Sequence, residues 1–360
     1  MTLNLADLRV QIDAIDDELL ALLNRRAQVA EQVGEVKKRE GSPFLRPDRV
    51  AQVIQKLQQR NKGPLKNEHV AAVWREIMSA CLALESPVRV AYLGPAGTFS
   101  EQAALQFFGN SIEHVACSSI DEVFRATASG GAGYGVVPVE NSTEGVVSRS
   151  LDLLLHSPLH IIGETSLMVR HNLLRLSNSM DGIEAVYAHP QALAQCQGWL
   201  TTHLPHVERH AASSNAEGAR LAATNPAWAG IASEKAASLF GLHMPARGIQ
   251  DDAFNRTRFV VLCLPQTLAL PPASGKDRVS LVVSVDNRPG AVHDILVPLK
   301  QHSVSMTRFE SRPARAGQWE YYFYIDLNGH PSQDHVKAAL HDLQQLCAYY
   351  KVLGTYPASE

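Results

Sequence analysis

No closely spaced cysteine pair, no long apolar run and no large net charge mark this 360-residue chain. Its five cysteines, Cys81, Cys117, Cys196, Cys263 and Cys347, are scattered and form no CxxC unit. That spacing argues against a disulfide framework or a zinc site and suits reduced thiols in a cytoplasmic protein. No stretch approaches the ~20 apolar residues that a membrane-spanning helix needs. The opening segment, MTLNLADLRVQIDAIDDELL, carries acids on a helical period instead of a basic-then-apolar signal. A net charge of −3 gives no reason to expect nucleic acid or an anionic membrane as a partner. GxGxxG and Walker-type loops are missing, and so is metal-ligand spacing; the 15 histidines are scattered. Neither a cofactor nor a metal is expected.

What is present falls into three regions with different periods. From Leu5 to Val36 apolar residues recur at Leu5, Leu8, Ile12, Ile15, Leu19, Leu22, Val29, Val33 and Val36. Steps of three and four are the heptad seam of one long helix, ended by Gly41 and Ser42-Pro43. Pro47 opens a second helix, and a third runs from about Asn67 to Glu85. After Val88 short β runs alternate with helices: VRVAYLG, IEHVAC, YGVVPVE, LHIIGE, IEAVYAHP, VERHAA, AWAGIA and RFVVLCL. Such alternation predicts an α/β domain with mostly parallel sheets. Residues 265–275 (PQTLALPPASG) read as a linker. The remainder reads βαββαβ, a ferredoxin-like α+β order, with QWEYYFYIDL as its third strand. The predicted domains span 1–87, 88–265 and 276–360.

The heptad seam has one gap. Between Leu22 and Val29 an apolar residue is due, and Arg26 stands there. An unpaired buried guanidinium is costly, so an anion is expected beside it, either an internal carboxylate or a ligand. Arg26 and Lys37 are eleven residues apart, which at ~100° and 1.5 Å per residue puts both on one face about 16 Å apart. Arg9 lies about 25 Å from Arg26 along the axis and is rotated by ~100°, so it reaches the same small ligand only from an antiparallel partner chain. Taken singly, Arg9 and Lys37 are equally compatible with solvated charge.

In the α/β region, ligands bind at the carboxyl ends of strands, where helix N-termini present N–H groups to anions. Five loops there open helices with small polar residues: GPAGTFS (94–100), ENSTEG (140–145), HPQ (189–191), SSNAEG (213–218) and SEK (233–235). Each alone is an ordinary helix cap. Their shared placement suggests a polar, anion-binding cleft. Asn255-Arg256-Thr257-Arg258 runs directly into the apolar strand FVVLCL, which by itself is an ordinary strand entry.

These segments resemble known families. LADLRVQIDAID, LLALLNRRAQVAEQVGEVKK, LRPDR and REIMSACLALE resemble the AroQ-type chorismate mutases, three-helix chains that dimerise. The resemblance implies that Arg9 (from a partner), Arg26, Lys37 and Arg49 bind chorismate, and that Cys81, on the inward stripe, belongs to the same substrate-binding set. It also implies that Glu85 meets the ether oxygen. Only a protonated Glu85 can donate that hydrogen bond, so mutase activity is expected to fall as pH rises. After RPDR the family usually carries Glu; here it is Val50, which cannot contact the substrate hydroxyl. GPAGTFSEQAA, GVVPVENSTEG, HPQALAQC, SSNAEGA and NRTRFVVL resemble prephenate dehydratases, whose two lobes are similar to periplasmic binding proteins. That resemblance implies that Thr257 is catalytic, and that Thr98, Ser100, Asn141, Ser142, Gln191, Ser213, Ser214 and Arg258 line the cleft. NRPGAVHDIL and TRFESRP resemble phenylalanine-binding ACT domains. Gly290, Ala291, Val292, Glu310, Ser311, Arg312 and Pro313 are then the effector contacts, with His293 where the family has an apolar residue. The implied whole is a multidomain homodimer or higher homo-oligomer acting on chorismate and prephenate, with phenylalanine as effector. Two rivals stand beside it: a dehydratase whose helices only dimerise, and a non-enzymatic amino-acid sensor.

Overall fold

The computed structural model describes residues 4–265, 270–313 and 321–359. Part of the expected linker (266–269), the start of the QWEYYFYIDL strand (318–320) and the outermost ends of the first and third predicted domains lie outside the described residues.

Three helices come first: α1 (Leu5–Glu40), α2 (Pro47–Arg60) and α3 (Asn67–Glu85). Next come β1 (Arg89–Leu93), α4 (Phe99–Phe108), β2 (Glu113–Cys117), α5 (Ile120–Ala128), β3 (Tyr134–Asn141), β4 (Gly145–Val146), α6 (Ser148–His156) and β5 (His160–Met168). They are followed by β6 (Asn172–Arg175), β7 (Ala185–Ala188), α7 (Pro190–Gln195), α8 (Gln197–His203), β8 (Glu208–Ala211), α9 (Asn215–Ala222), β9 (Trp228–Ala232), α10 (Glu234–Phe240), β10 (His243–Ala246) and β11 (Arg256–Cys263). The last part is β12 (Asp277–Ser284), α11 (Ala291–Gln301), β13 (Met306–Pro313), β14 (Tyr321–Asn328), α12 (Asp334–Leu346) and β15 (Tyr349–Pro357).

The helical module is one compact unit. Asn4 caps α1, its side chain accepting from the Ala6 N–H at 3.1 Å, and Gly41 ends the helix in the left-handed region at φ 66°. Of all α1, only Gly34 is fully buried. A Cβ there would come within 2.9 Å of Glu85 Cα, so the missing side chain is what lets the end of α3 lie against α1. The seam itself is uncovered: Ile12, Ile15, Leu19, Leu22 and Val29 are all half or more exposed.

Most of the chain from Arg89 onward, without Phe108–Glu113, forms a second unit holding three sheets. One lobe has strand order β2-β1-β3-β11-β5, with β4 paired to β3; the other has β10-β6-β9-β7-β8. The ferredoxin-like sheet has order β13-β14-β12-β15. Both lobes are mixed sheets, a correction to the mostly parallel expectation. β1 pairs with β3 in parallel and β7 with β8 and β9, but β11 is antiparallel to both β3 and β5. The cause is the path of the chain: β5 leads out of the first lobe and β11 returns to it, so the two run in opposite directions. Strands β4, β6 and β10 were not expected. NLLR is buried at all four positions and shows no alternation, β4 has two residues and β10 contains a proline.

The boundary between residues 88–265 and 276–360 separates sheets, not cores. Leu151, Leu154, Ile161, Val260 and Leu262 of the first lobe share one buried cluster with Val282, Tyr324, Leu353 and Tyr356. Among the described residues no helix is long and apolar enough to cross a membrane.

Candidate active sites

The α/β unit brings Asn141, at the end of β3, opposite Thr257, on β11, as direct register partners. Asn141 is buried and donates from Nδ2 to Thr257 Oγ1 and to Asn255 Oδ1, both at 2.8 Å. Its amide cannot be turned over. The backbone N–H groups of Thr143 and Glu144, which can only donate, both reach Asn141 Oδ1 at 3.0 Å. Asn255 therefore offers its oxygen to Asn141 and its Nδ2 to Gln195 Oε1 at 2.9 Å. Gln195 in turn donates from Nε2 to Glu144 Oε1 at 3.2 Å, and its Oε1 also receives His171 Nε2 at 2.9 Å. Each donor and acceptor along this chain is thus assigned from the backbone end. His171 must carry its proton on Nε2, which leaves its buried Nδ1 with no partner among the described residues. Burial holds the His171 pKa below the usual histidine value, against the opposing hydrogen bond to Gln195.

The consequence for Thr257 is directional. Its oxygen accepts one N–H, from Asn141, on one of its two lone pairs, and its proton makes no hydrogen bond among the described residues. The hydroxyl is therefore a donor in waiting.

Other sequence candidates sit at different distances from this centre. Ser142 is laced to the same segment, its Oγ accepting from the Arg256 N–H at 2.9 Å and donating to the Phe254 carbonyl at 3.3 Å. Thr98 donates to the Leu93 carbonyl at 2.9 Å, and Ser100 is buried on the first turn of α4. The GPAGTFS loop is tied to the second lobe, because Ser233 Oγ donates to the Gly97 carbonyl at 2.9 Å. Ser214 caps α9 by accepting from the Glu217 N–H at 3.0 Å, while Gln191 and Ser213 are exposed. None of these last three is hydrogen-bonded to Asn141, Asn255 or Thr257. Arg258 faces away from them: it binds Glu164, Asp326 and Tyr356. Strand alternation explains this, since neighbours 257 and 258 point to opposite faces of the sheet. Asn255, Gln195, Glu144 and His171 were not singled out in the sequence. The first three lie inside quoted motifs, and Gln195 is one helical turn after Gln191 in HPQALAQ.

In the helical module four candidates meet along α1 and α3. Arg26 Nη1 donates to Cys81 Sγ at 2.8 Å, and Lys37 Nζ lies 2.7 Å from Glu85 Oε2 and 2.7 Å from the Phe44 carbonyl. Arg26 has no carboxylate partner among the described residues, so the internal ion pair considered for it is not formed. Glu85 is ion-paired with Lys37, not isolated among apolar groups as its protonation would require. Arg9 and Arg49 are exposed. Of the LRPDR segment, Arg46 and the buried Asp48 form an ion pair at 2.8 Å. The hydrogen bond to Asp48 is the main reason that the Arg46 pKa is raised.

In the third sheet Gly290, in the left-handed region at φ 82°, caps α11; Ala291 is buried and Val292 exposed. Glu310–Pro313 lie on the edge strand β13. Arg312 reaches into the catalytic lobe, where it donates to Ser148 Oγ at 2.8 Å and Asp152 Oδ1 at 3.0 Å on α6. His293 is exposed, beside Asp294.

Family models match in the same order as the regions: chorismate mutase type II over residues 8–86, prephenate dehydratase over 90–267 and the ACT domain over 279–345. A bifunctional chorismate mutase/prephenate dehydratase of Neisseria gonorrhoeae is 48% identical over 98% of this chain and 96% of its own length. One of Pseudomonas aeruginosa is 45% identical over 97% of this chain and 96% of its own. A solved prephenate dehydratase of Arthrobacter aurescens, in complex with L-Phe, superposes with a TM-score of 0.68 at 30% identity, covering 74% of this chain and 89% of its own. With near full-length relatives at this identity and all three domain models in place, the chain belongs to the family of bifunctional chorismate mutase/prephenate dehydratases.

Proposed function

We propose that the α/β domain converts prephenate to phenylpyruvate, CO2 and water, and that the helical module converts chorismate to prephenate. The observation that carries the dehydratase reading is the orientation of the Thr257 hydroxyl. Prephenate holds a ring carboxylate and a ring hydroxyl placed for elimination. As the bond to the carboxylate breaks, its electron pair enters the ring, the ring becomes aromatic and the C–OH bond opens. The leaving oxygen gains negative charge and needs a hydrogen-bond donor, with the net proton coming from solvent. Thr257 supplies that donor: Asn141 donates to its oxygen, which turns the hydroxyl proton away from residue 141 and leaves it for the substrate. Neutral amides suit this task, since they orient the hydroxyl without adding charge to the cleft.

In the helical module a half-buried Arg26 without a carboxylate partner suits a dianionic substrate, whose rearrangement needs only a held conformer and stabilised charge at the ether oxygen. The uncovered α1 seam, with Arg9 exposed beside it, supports a homodimer in which Arg9 serves the partner's site. Phenylalanine is the proposed effector, held at Gly290–Val292 and on the Glu310–Pro313 segment. The five cysteines are all unpaired, which suits the cytoplasm.

The test is to add prephenate to the purified protein and follow phenylpyruvate absorbance, and to add chorismate in a parallel assay. Turnover is expected in both. In Thr257→Ala, dehydratase kcat is expected to drop ~100- to 10,000-fold, the range of a lost proton donor, with a much smaller change in KM. Undiminished kcat would remove Thr257 from the mechanism.

A further inference from the structure

On β11, Thr257 turns toward the Asn141–Asn255 chain and Arg258 toward the ACT sheet. On β3 the register partners repeat the arrangement, Asn141 opposite Thr257 and Glu140 opposite Arg258. Directly beyond them the register slips: Arg258 pairs with Glu140 but Phe259 with Pro138, so Val139 is an extra residue on β3. A bulge of this kind re-aims the side chains beside it and concentrates twist there. The candidate catalytic pair therefore sits beside one of the two register shifts along β11, the other lying at Val261/Leu262 against β5, and what grips its back face bears on its geometry.

That back face is an ionic seam between two sheets. The catalytic lobe contributes Arg258, Glu164 and Glu140, and the ACT sheet contributes Arg278, Arg308 and Asp326. The lobe side sums to −1 and the ACT side to +1, so the seam is neutral only when the sheets are docked. Arg258 donates from Nε to Glu164 at 2.7 Å, from Nη1 to Asp326 at 2.6 Å and from Nη2 to Tyr356 Oη at 3.1 Å. Glu164, whose side chain is 0% exposed, also receives Arg278 Nη1 at 2.6 Å. Asp326 can only accept, so Ser280 donates to it at 2.5 Å and Tyr356 donates to Ser280 at 2.7 Å. Burial lowers the Arg258 pKa, but Asp326, Tyr356 and Glu164 outweigh it and the net shift is upward. Charges buried this way add little to stability but fix one geometry, because breaking one contact strands the others. The two sheets approach closely beside it: a Cβ on Gly354 of β15 would collide with the Ile161 carbonyl on β5, so only glycine allows this contact.

We propose that Arg258 is a positioning residue for the dehydratase reaction, holding the Thr257–Asn141 pair from behind. The ACT sheet, through Asp326, Arg308 and Tyr356, sets where it holds them. The seam is then the route by which an effector on the ACT domain alters turnover. Arg312 provides a second grip on the same segment, since α6 follows directly on the loop that carries Asn141 and Glu144. This route rests on the reading of phenylalanine as effector; the positioning role of Arg258 does not.

The test uses the full-length protein and three variants: Arg258→Lys, Arg308→Gln and Glu140→Gln. Glu140 is 44% exposed, so Arg308→Gln strands no buried charge, whereas Glu140→Gln leaves the Arg308 side chain, 12% exposed, without its carboxylate. Dehydratase kcat and KM, phenylalanine inhibition and phenylalanine binding by calorimetry are measured for each. In Arg258→Lys, kcat is expected to fall ~10-fold or more with KM within about threefold, because lysine cannot hold three partners in one plane. In Arg308→Gln and Glu140→Gln, the ratio of rates without and with saturating phenylalanine is expected to shrink roughly 3- to 30-fold while Kd for phenylalanine stays within about twofold. Wild-type kcat in Arg258→Lys would overturn the positioning role. Should that variant not fold, unaltered kcat and inhibition in the other two would do the same. Inhibition lost together with phenylalanine binding would place these residues at the effector site and overturn the route. If the wild-type protein binds no phenylalanine, the effector reading fails, while the kcat measurements still decide the role of Arg258.

Discussion

The two candidate sites solve opposite problems. The helical module places charge where a helix seam calls for a hydrophobe: Arg26 stands among apolar positions, bonded among the described residues to a thiol, and Lys37 is set against Glu85. The α/β site contains almost no charge at its centre and relies on the sense of hydrogen bonds, Asn141 to Thr257 and Asn255, Asn255 to Gln195. A rearrangement of one dianion needs a strong field and tolerates imprecise direction. An elimination needs one proton donor aimed at one leaving oxygen, and amides aim better than long cationic side chains. The difference teaches that in this chain charge substitutions should break the first site, and isosteric reversals of a hydrogen bond should break the second.

The largest effect that would sharpen this contrast is expected in Arg26→Gln. Loss of one charged donor to the ether oxygen or carboxylate should reduce chorismate turnover ~100- to 1,000-fold. Prephenate turnover by the same preparation should be unchanged. Equal loss of both activities would mean that the substitution damages the fold and that the contrast is false.

Glu85→Gln probes the same site more finely. An amide can donate to the ether oxygen, whereas a carboxylate paired with Lys37 at 2.7 Å only accepts. Chorismate turnover in Glu85→Gln is expected to rise about tenfold, the worth of one hydrogen bond to a charged centre, with prephenate turnover unchanged. Chorismate turnover within about twofold of wild type would remove Glu85 from the ether oxygen.

The smallest effect is expected in Ser214→Ala. Ser214 accepts from the Glu217 N–H as a helix cap, so its loss should cost about 1 kcal/mol in thermal or denaturant unfolding and leave kcat within about twofold. A large kcat loss without destabilisation would bring Ser214 into the substrate site after all.

How far the sequence foretells each region follows from where its contacts lie. The heptad seam, Gly41 and Pro47 mark the helical module, because helix periodicity is local. Ile12 and Leu19 belong to that seam, yet their exposure within one chain is not a local property. Five loop motifs mark the α/β domain, and the register of Thr257 on Asn141 joins one of them to the Asn255–Arg258 strand entry. What the motifs do not disclose is which of their polar residues face the centre. Gln195 and Gln191 share one short helix; one enters the hydrogen-bond chain and the other is exposed, a difference made by Asn255, 60 residues away. Arg258 looks like a cleft residue beside Thr257, but strand alternation and an ACT carboxylate 68 residues further on draw it to the opposite face. The strands NLLR and HMPA lack alternation or carry proline, so only tertiary pairing makes them strands.

The central claim is that Asn141 orients Thr257 by donating to it, and Asn141→Asp in the full-length protein tests it most directly. The substitution keeps size and the acceptor for the Thr143 and Glu144 N–H groups but presents an oxygen to Thr257 and to Asn255 Oδ1. The Thr257 proton should then turn toward residue 141, and dehydratase kcat should fall at least ~100-fold with KM changed far less, as for loss of the proton donor itself. A kcat within about threefold of wild type would contradict the account.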